Sequence, residues 1–399
     1  MVTISKLLSS NGSAMASPWT KKRLPIIFVF SLAISNISLL KSSPVTRPLE
    51  IRLASAIARS PVPQQTSKAL SVGLIKKEEE AGLHAVTDGE FRRSWWHLDF
   101  IWGLEGIEQS TSNAGYEFHD ETTRAETAKL VGKVSGNNHP FVEHFKFTRD
   151  HVSTGTQVKQ TIPSPAQAFF EFLRPENIAS VNKYYPSFDT FAADLVTAYR
   201  QVIADLYAAG CRTLQLDDCT WSAYADFAQH PEHIKSAGFN IQQLEKLEET
   251  SVELNNAIIS DQPHDLTINT HDCRGNYHST WAATGGYGPV ADPLFTKENV
   301  TAFYLEYDTE RAGGFEPLEK VPNDKYVVLG LVTSKSGKLE DHEVIINRIH
   351  EAAKFHPLDK LCLSPQCGFA STEEGNILTE KQQWAKISLI KDIAKEVWG

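Results

Sequence analysis

A (β/α)8 barrel is the fold class this sequence predicts, and three observations predict it. Seven short apolar runs, at 83–87, 158–162, 213–216, 266–270, 302–306, 326–331 and 360–364, alternate with stretches of helical spacing. Glu90, Asp217, His271, Cys273, Glu306 and Cys367 all stand at or just past the C-terminal end of one of those runs, where barrels gather their chemistry. No Gly-rich phosphate turn follows an early strand, as an open doubly wound sheet would require. A barrel needs an eighth strand, and its place is before residue 66.

Composition narrows the class. The chain has 399 residues, 41% hydrophobic and 22% charged, ordinary values for a soluble globular protein. A net charge of -10 with no Lys/Arg stripe argues against a nucleic-acid partner. The five cysteines, Cys211, Cys219, Cys273, Cys362 and Cys367, are odd in number and include no Cys-x-x-Cys pair. They read as reduced thiols of a cytoplasmic protein rather than a disulfide framework.

The elements follow in order. Residues 1–65 are atypical: Lys21-Lys22-Arg23 precedes an apolar stretch from Leu24 that weakens towards Leu40. This pattern reads as a targeting segment, a poorly ordered extension or an altered start. Pro25, Ser31, Ser35, Asn36 and Ser38 make it a poor membrane span, and no stable membrane partner is expected. From residue 66 to 399 the pattern is that of one catalytic domain. A helix is expected from Leu70 to Ala81, stopped by Gly82. The strand at 83–87 leads into Asp88-Gly89-Glu90, and 108–150 is polar, with some β character. After the strand at 158–162, closed by Pro163-Ser164-Pro165, Ser187 caps a helix with Phe191, Leu195, Ala198, Val202 and Leu206 on one face. The strand at 213–216 delivers Asp217-Asp218-Cys219, and a helix over Ile241–Ile259 precedes the strand that ends at His271. Helices near 340–355 and 380–397 complete the pattern.

The chemistry centres on Asn269-Thr270-His271-Asp272-Cys273-Arg274-Gly275-Asn276. In extended chain, His271 and Cys273 share a face, which sets an imidazole beside a thiol. Zinc takes both ligand types in a tetrahedral shell. Glu306 and Cys367 are the best candidates for the other two positions. Cys211 and Cys362 read as small buried hydrophobes, Cys219 as a residue near the site, and His278 as a loop residue. Glu90 has Arg92 and Arg93 as alternative ion-pair partners, and Lys335 is either a solvated loop charge or a contact for an anionic substrate group. Trp95, Trp96, Trp102 and Trp221 lie near the acidic residues, as core packing or as a stacking surface.

The stretches Val86-Thr87-Asp88-Gly89-Glu90-Phe91-Arg92-Arg93-Ser94-Trp95-Trp96, Leu216-Asp217-Asp218, Thr270 to Asn276, Tyr304-Leu305-Glu306-Tyr307-Asp308 and Ser364-Pro365-Gln366-Cys367-Gly368-Phe369 occur in one order along the last 330 or so residues. By them the chain resembles the cobalamin-independent methionine synthase superfamily, and within it the single-barrel, YxjG-like group. The resemblance implies a zinc-dependent methyl transfer to the thiol of homocysteine, giving methionine, with methyltetrahydrofolate in its polyglutamate form as the usual donor. It implies zinc ligands His271, Cys273, Glu306 and Cys367, and contacts from Glu90 and Asp217 to the homocysteine amino group; Glu306 and Lys335 are the candidate catalytic residues. Two departures accompany it. No Gly-Ser turn closing a first strand is found in residues 1–65, and Val332-Thr333-Ser334-Lys335-Ser336 lacks the histidine that full-length methionine synthases carry there. The alternatives are alkyl transfer to another small thiol of the coenzyme M type and a non-catalytic zinc-binding paralogue.

Overall fold

In a computed structural model, the described residues are 64–236 and 240–399. The extension, its basic–apolar segment and the expected first strand lie outside them. Seven parallel strands form one curled sheet: β1 (Ala85–Val86), β4 (Gln157–Pro163), β5 (Thr213–Asp217), β6 (Thr267–Asp272), β7 (Ala302–Glu306), β8 (Tyr326–Val332) and β9 (Leu361–Pro365), hydrogen-bonded in that order. This is the TIM-barrel-like fold that the strand pattern predicts. Above the β9–β1 edges, the loop after β1 meets the loop after β9: Trp96 donates its amide to the Ser371 carbonyl, and Glu373 donates its own to the Ser94 carbonyl. Among the described residues no helix is long and apolar enough to cross a membrane.

Alternation along each strand explains what faces where. In β5, Leu214 and Leu216 point out into a core that also holds Leu195, Tyr199 and Val202 of α6 (Phe188–Ala208). Gln215 and Asp217 then point into the barrel, where Gln215 accepts from the Lys159 amine of β4. In β7, Phe303 and Leu305 face a second core shared with α10 (His342–Ala352) and α11 (Glu380–Trp398), while Tyr304 and Glu306 point inward. Ala302, Tyr304, Val328 and Cys362 fill the barrel's lower end. Both faces of the strands are covered, so they read as continuous apolar runs.

The helices include α1 (Gln64–Glu80), which begins six residues before the expected Leu70, and α9 (Ile241–Ile259), whose bounds match the expectation. Ser187 caps α6 in a reciprocal box with Thr190. Several elements are additional. Before the polar stretch lies α2 (Leu98–Gly103), and an antiparallel hairpin of β2 (Glu105–Thr111) and β3 (Glu126–Ser135) leads into and through it to α3 (Pro140–Arg149). Ser164 caps α4 (Pro165–Phe172) by accepting from the Gln167 amide, with Pro165 at the first helical position. Three further helices are α5 (Pro175–Tyr184), α7 (Thr220–Gln229) and α8 (Pro231–Ser236).

Candidate metal and thiol site

The C-terminal ends of the strands open into a cavity of about 500 Å³. Its floor carries His271, Cys273, Cys367, Cys219, Glu90 and Asp217, and its walls include Trp95, Trp96, Phe170, Phe227 and Tyr277. Tyr116, Glu117 and Phe118, from the loop joining β2 to β3, line it from above. That loop is tied to the far rim where His119 donates its amide to the Trp281 carbonyl. Trp102 and Trp221 are structural: the first donates its indole N–H to the Thr127 carbonyl, and the second is fully buried against Tyr224.

Three of the four expected ligands come together. One ring nitrogen of His271 and the sulfurs of Cys273 and Cys367 all lie within 4.8 Å of one another, and all three residues are buried. His271 Nδ1 stands 3.1 Å from the Tyr304 carbonyl, which can only accept, so the proton sits on Nδ1 and Nε2 is left towards Cys367 Sγ at 3.5 Å. A backbone partner on one ring nitrogen fixes the tautomer in which the other can ligate. The close approaches of Cys219, Cys367 and His271 hold the Cys273 thiol well below its ordinary range, against its burial. Burial and the neighbouring Cys273 push the Cys367 thiol up.

Glu306 is fully buried but stands outside this group of three. Its carboxylate accepts from the Arg274 amide at 2.8 Å and from Arg311 Nη2 at 2.8 Å, and it faces Lys335 Nζ at 3.5 Å. The physical reason is local: two cations and a backbone donor satisfy it inside the protein, and none of these partners is a metal donor. Lys335 is therefore a buried counter-charge, only 8% exposed, and not a solvated loop charge.

Glu90, just past β1, and Asp217, at the end of β5, flank the end of β4. Thr161 donates its hydroxyl to Glu90 at 2.6 Å, and Arg93, rather than Arg92, pairs with Glu90 at 3.0 Å. Arg92 pairs with Asp88. Glu90 has a φ of 56°, left-handed backbone that a non-glycine residue adopts at a cost. Gln215 donates to Asp217 at 2.7 Å. Burial pushes the Asp217 carboxyl up to about 6, with the Glu90 charge adding to it and His271 opposing. Cys211 and Cys362 are buried with thiols pushed up to about 12, as inert core residues should be. His278 lies in an exposed loop, 3.0 Å from Glu121.

Sequence reasoning understated Cys219. Its sulfur is 3.7 Å from that of Cys273, at the start of α7. Gln167, Tyr116 and Thr161 also enter the site without a sequence signal, because their elements are brought there by long-range packing.

The described domain is matched over residues 64–395 by the family described as "Cobalamin-independent synthase, Catalytic domain". The chain belongs to this family. YxjH of Bacillus subtilis, a protein of uncharacterised activity, is 42% identical over 362 residues, covering 90% of this chain and 93% of YxjH. A methionine synthase of Pyrococcus abyssi is 23% identical over 311 residues, covering 76% of each chain. Among solved structures, a candidate vitamin-B12-independent methionine synthase of Listeria monocytogenes aligns with a TM-score of 0.67 and 32% identity, over 94% of this chain and 99% of the other. Family membership supports methyl transfer in methionine formation as the general activity.

Proposed function

We propose that the protein transfers a methyl group to the thiol of homocysteine, with zinc held by His271, Cys273 and Cys367. The observation that carries this reading is the trio of donor atoms within 4.8 Å on the floor of a cavity that also presents two carboxylates. One nitrogen and two sulfurs are a donor set zinc favours. The His271–Cys367 separation of 3.5 Å fits it too, since a nitrogen and a sulfur on one tetrahedral zinc stand about 3.5 Å apart. Bound there, zinc would keep a substrate thiol deprotonated, and so nucleophilic, at neutral pH.

The protein's own groups orient the acceptor. Glu90 and Asp217 offer carboxylate oxygens to its ammonium, a charge-assisted pairing that selects an amino-acid thiol over one without an amine. Glu306, Lys335 and Arg311 form a buried charge cluster behind the trio and set its electrostatic potential. The aromatic walls exclude water and give a flat methyl donor a stacking surface, and in our reading the donor is a methylated folate. Among the described residues that line the cavity none is Lys or Arg, so in this reading a polyglutamate tail would run out through the mouth.

The test is metal content and turnover together. Purified protein should carry about one zinc per chain and form methionine from homocysteine and methyltetrahydrofolate, and Cys367→Ala should lose both. Methionine formation at the same rate in the metal-free protein or in Cys367→Ala would refute the assignment.

A further inference from the structure

The cavity is more acidic than its acceptor requires. Four carboxylates, Glu90, Glu117, Asp217 and Asp226, stand among the described residues that line it, with no Lys or Arg beside them. Glu90 and Asp217 serve the acceptor's ammonium in the reading above. Glu117 and Asp226 have no such task. Asp226 is held on the wall by the Thr284 amide and hydroxyl, and stands 2.7 Å from His233 Nδ1. Glu117 is exposed, on the loop that lines the cavity from above. Between these acids the walls are aromatic, through Trp96, Phe118, Phe170, Phe227 and Tyr277. Two neighbouring rings already carry cations: Arg124 lies 4.7 Å over Trp95, and Arg174 lies 4.5 Å over Tyr116. Negative charge in a low-dielectric cleft and open ring faces both attract a compact cation, and neither attracts an anion.

A second, independent observation concerns the proton. A methylated folate leaves as an amine that takes up a proton, so it calls on a general acid. The stretch 332–336 lacks the histidine that full-length methionine synthases carry there. His97, on the cavity wall, does not replace it. Tyr116 donates its hydroxyl to Glu171 at 2.8 Å and so accepts from His97 Nε2 at 3.1 Å, which commits the imidazole proton to Tyr116. Burial brings His97 down to about 3, so it holds no second proton at neutral pH. A sulfonium leaves as a neutral thioether and needs no acid.

We propose that the site also accepts a methylsulfonium ion as methyl donor. The inference rests on the homocysteine reading above and goes beyond it in the class of donor. An electron pair of the homocysteine thiolate forms the new S–CH3 bond. The bond from that carbon to the sulfonium sulfur breaks, and its electron pair stays on the departing sulfur. The products are methionine and a neutral thioether; no proton moves and no oxidant is consumed. A negative nucleophile and a positive donor attract each other more strongly in a water-poor cavity than in bulk water.

The test gives reduced, zinc-loaded protein homocysteine and deuterated trimethylsulfonium, and follows the label by mass spectrometry. Methionine with a deuterated methyl group and dimethyl sulfide are expected in equal amounts. S-methylmethionine and S-adenosylmethionine, each labelled at the methyl group, show whether an amino-acid or a nucleoside sulfonium is a better source than the bare ion. By calorimetry, metal-free protein should bind trimethylsulfonium about tenfold more tightly than tert-butanol, a neutral molecule of similar size. Glu117→Lys should raise KM for the sulfonium about tenfold while leaving or lowering that for methyltetrahydrofolate, an anion. Trp96→Leu should raise KM for the sulfonium about 3- to 30-fold, and Trp96→Phe should restore much of it. Methionine from methyltetrahydrofolate but from none of the three sulfonium ions, or equal affinity for the cation and the alcohol, would overturn the inference and leave the function reading standing. Methionine from a sulfonium alone would uphold the inference and remove only the folate from that reading. No methionine from any donor would refute both.

Discussion

Arg274→Met is the perturbation whose cost follows most directly from the structure. The Arg274 guanidinium is fully buried, one residue beyond Cys273. Its Nε donates to the Gly285 carbonyl at 2.7 Å, its Nη1 pairs with Asp272 at 2.9 Å, and it lies 4.1 Å over the Tyr287 ring. Burial pushes the Asp272 carboxyl up to about 7, with Arg274 as the principal opposing influence. Methionine keeps much of the volume but leaves Asp272 as an unpaired buried charge, a change that costs about 3–5 kcal/mol. For a domain of about 330 residues, 4 kcal/mol lowers the melting temperature by about 6 °C. The sign with pH follows. Losing Arg274 raises the folded-state pKa of Asp272 further above its unfolded value, so the contribution to stability is present at low pH and is lost as pH rises through that folded value. The loss should therefore be larger at pH 8 than at pH 5. In the double variant Asp272→Asn/Arg274→Met no charge remains to strand, and more than half of the loss should return. Thermal and urea unfolding of wild type and both variants at the two pH values reads this out. A loss below about 1 kcal/mol, or equal losses in the single and double variants, would refute the reasoning.

Three further outcomes are expected. Burial, and then the neighbouring Asp218, push the Glu298 carboxyl up to about 8, while Asn255 bridges the two side chains. The stability this group contributes is present below its unfolded value, near 4, and is lost as pH climbs through 8. Glu298→Gln should flatten the fall in melting temperature between pH 5 and 9, and parallel curves would count against the account. Asp217→Asn removes a carboxylate facing the substrate ammonium, so KM for homocysteine at pH 8 should rise about 10- to 100-fold at unchanged zinc content, and an unchanged KM would remove Asp217 from the substrate site. At Gly330, where the β8–β9 register shifts, a Cβ would meet Gln366 Cα at 2.6 Å and the Leu305 carbonyl at 2.7 Å. Gly330→Ala should therefore cost about 1–3 kcal/mol in urea unfolding, and a neutral result would mean that the sheet yields there.

What the sequence makes legible follows from burial. The strand expected at 302–306 coincides with β7 because Ala302-Phe303-Tyr304-Leu305-Glu306 is covered on both faces and so reads as an unbroken run. The β2–β3 hairpin is half-exposed and paired across a long loop, so its pattern is diluted and only some β character shows. In α4 the N-terminal signal Ser164-Pro165 is present, yet it directly follows a strand and reads equally well as a strand end. The site divides in the same way. His271, Cys273 and Cys367 converge because a barrel brings strand ends together, a consequence of the fold alone. Where the Glu306 carboxylate points depends on Arg274, Arg311 and Lys335, which come from three separate stretches, and spacing along one chain cannot encode that.

The barrel interior explains how two carboxylates can serve one ammonium. In most barrels the strands fill the centre with branched apolar side chains in layers. Here only the lower end is largely apolar, through Ala302, Tyr304, Val328 and Cys362, and above it lies a polar layer. Lys159 donates to Gln215, which donates to Asp217, and the same amine stands 5.1 Å from the Tyr304 ring centre. Arg93 spans Glu90 and Thr161 on the neighbouring strand end. Two positive charges thus sit with two negative ones, which lets Glu90 and Asp217 remain side by side in a buried site. Burial brings the Lys159 amine down to about 8, against the pull of Asp217, Glu78 and Glu90. On the proposed reading, an arriving substrate ammonium would favour the charged form of Asp217 and oppose that of Lys159 beneath it. The acceptor's amino end and its sulfur therefore meet opposite electrostatic problems. The first end would be held, on the proposed reading, by carboxylates whose counter-charges are already built into the strands. The second enters a sulfur-rich cluster backed by Lys335 and Arg311, which bear on it through Glu306.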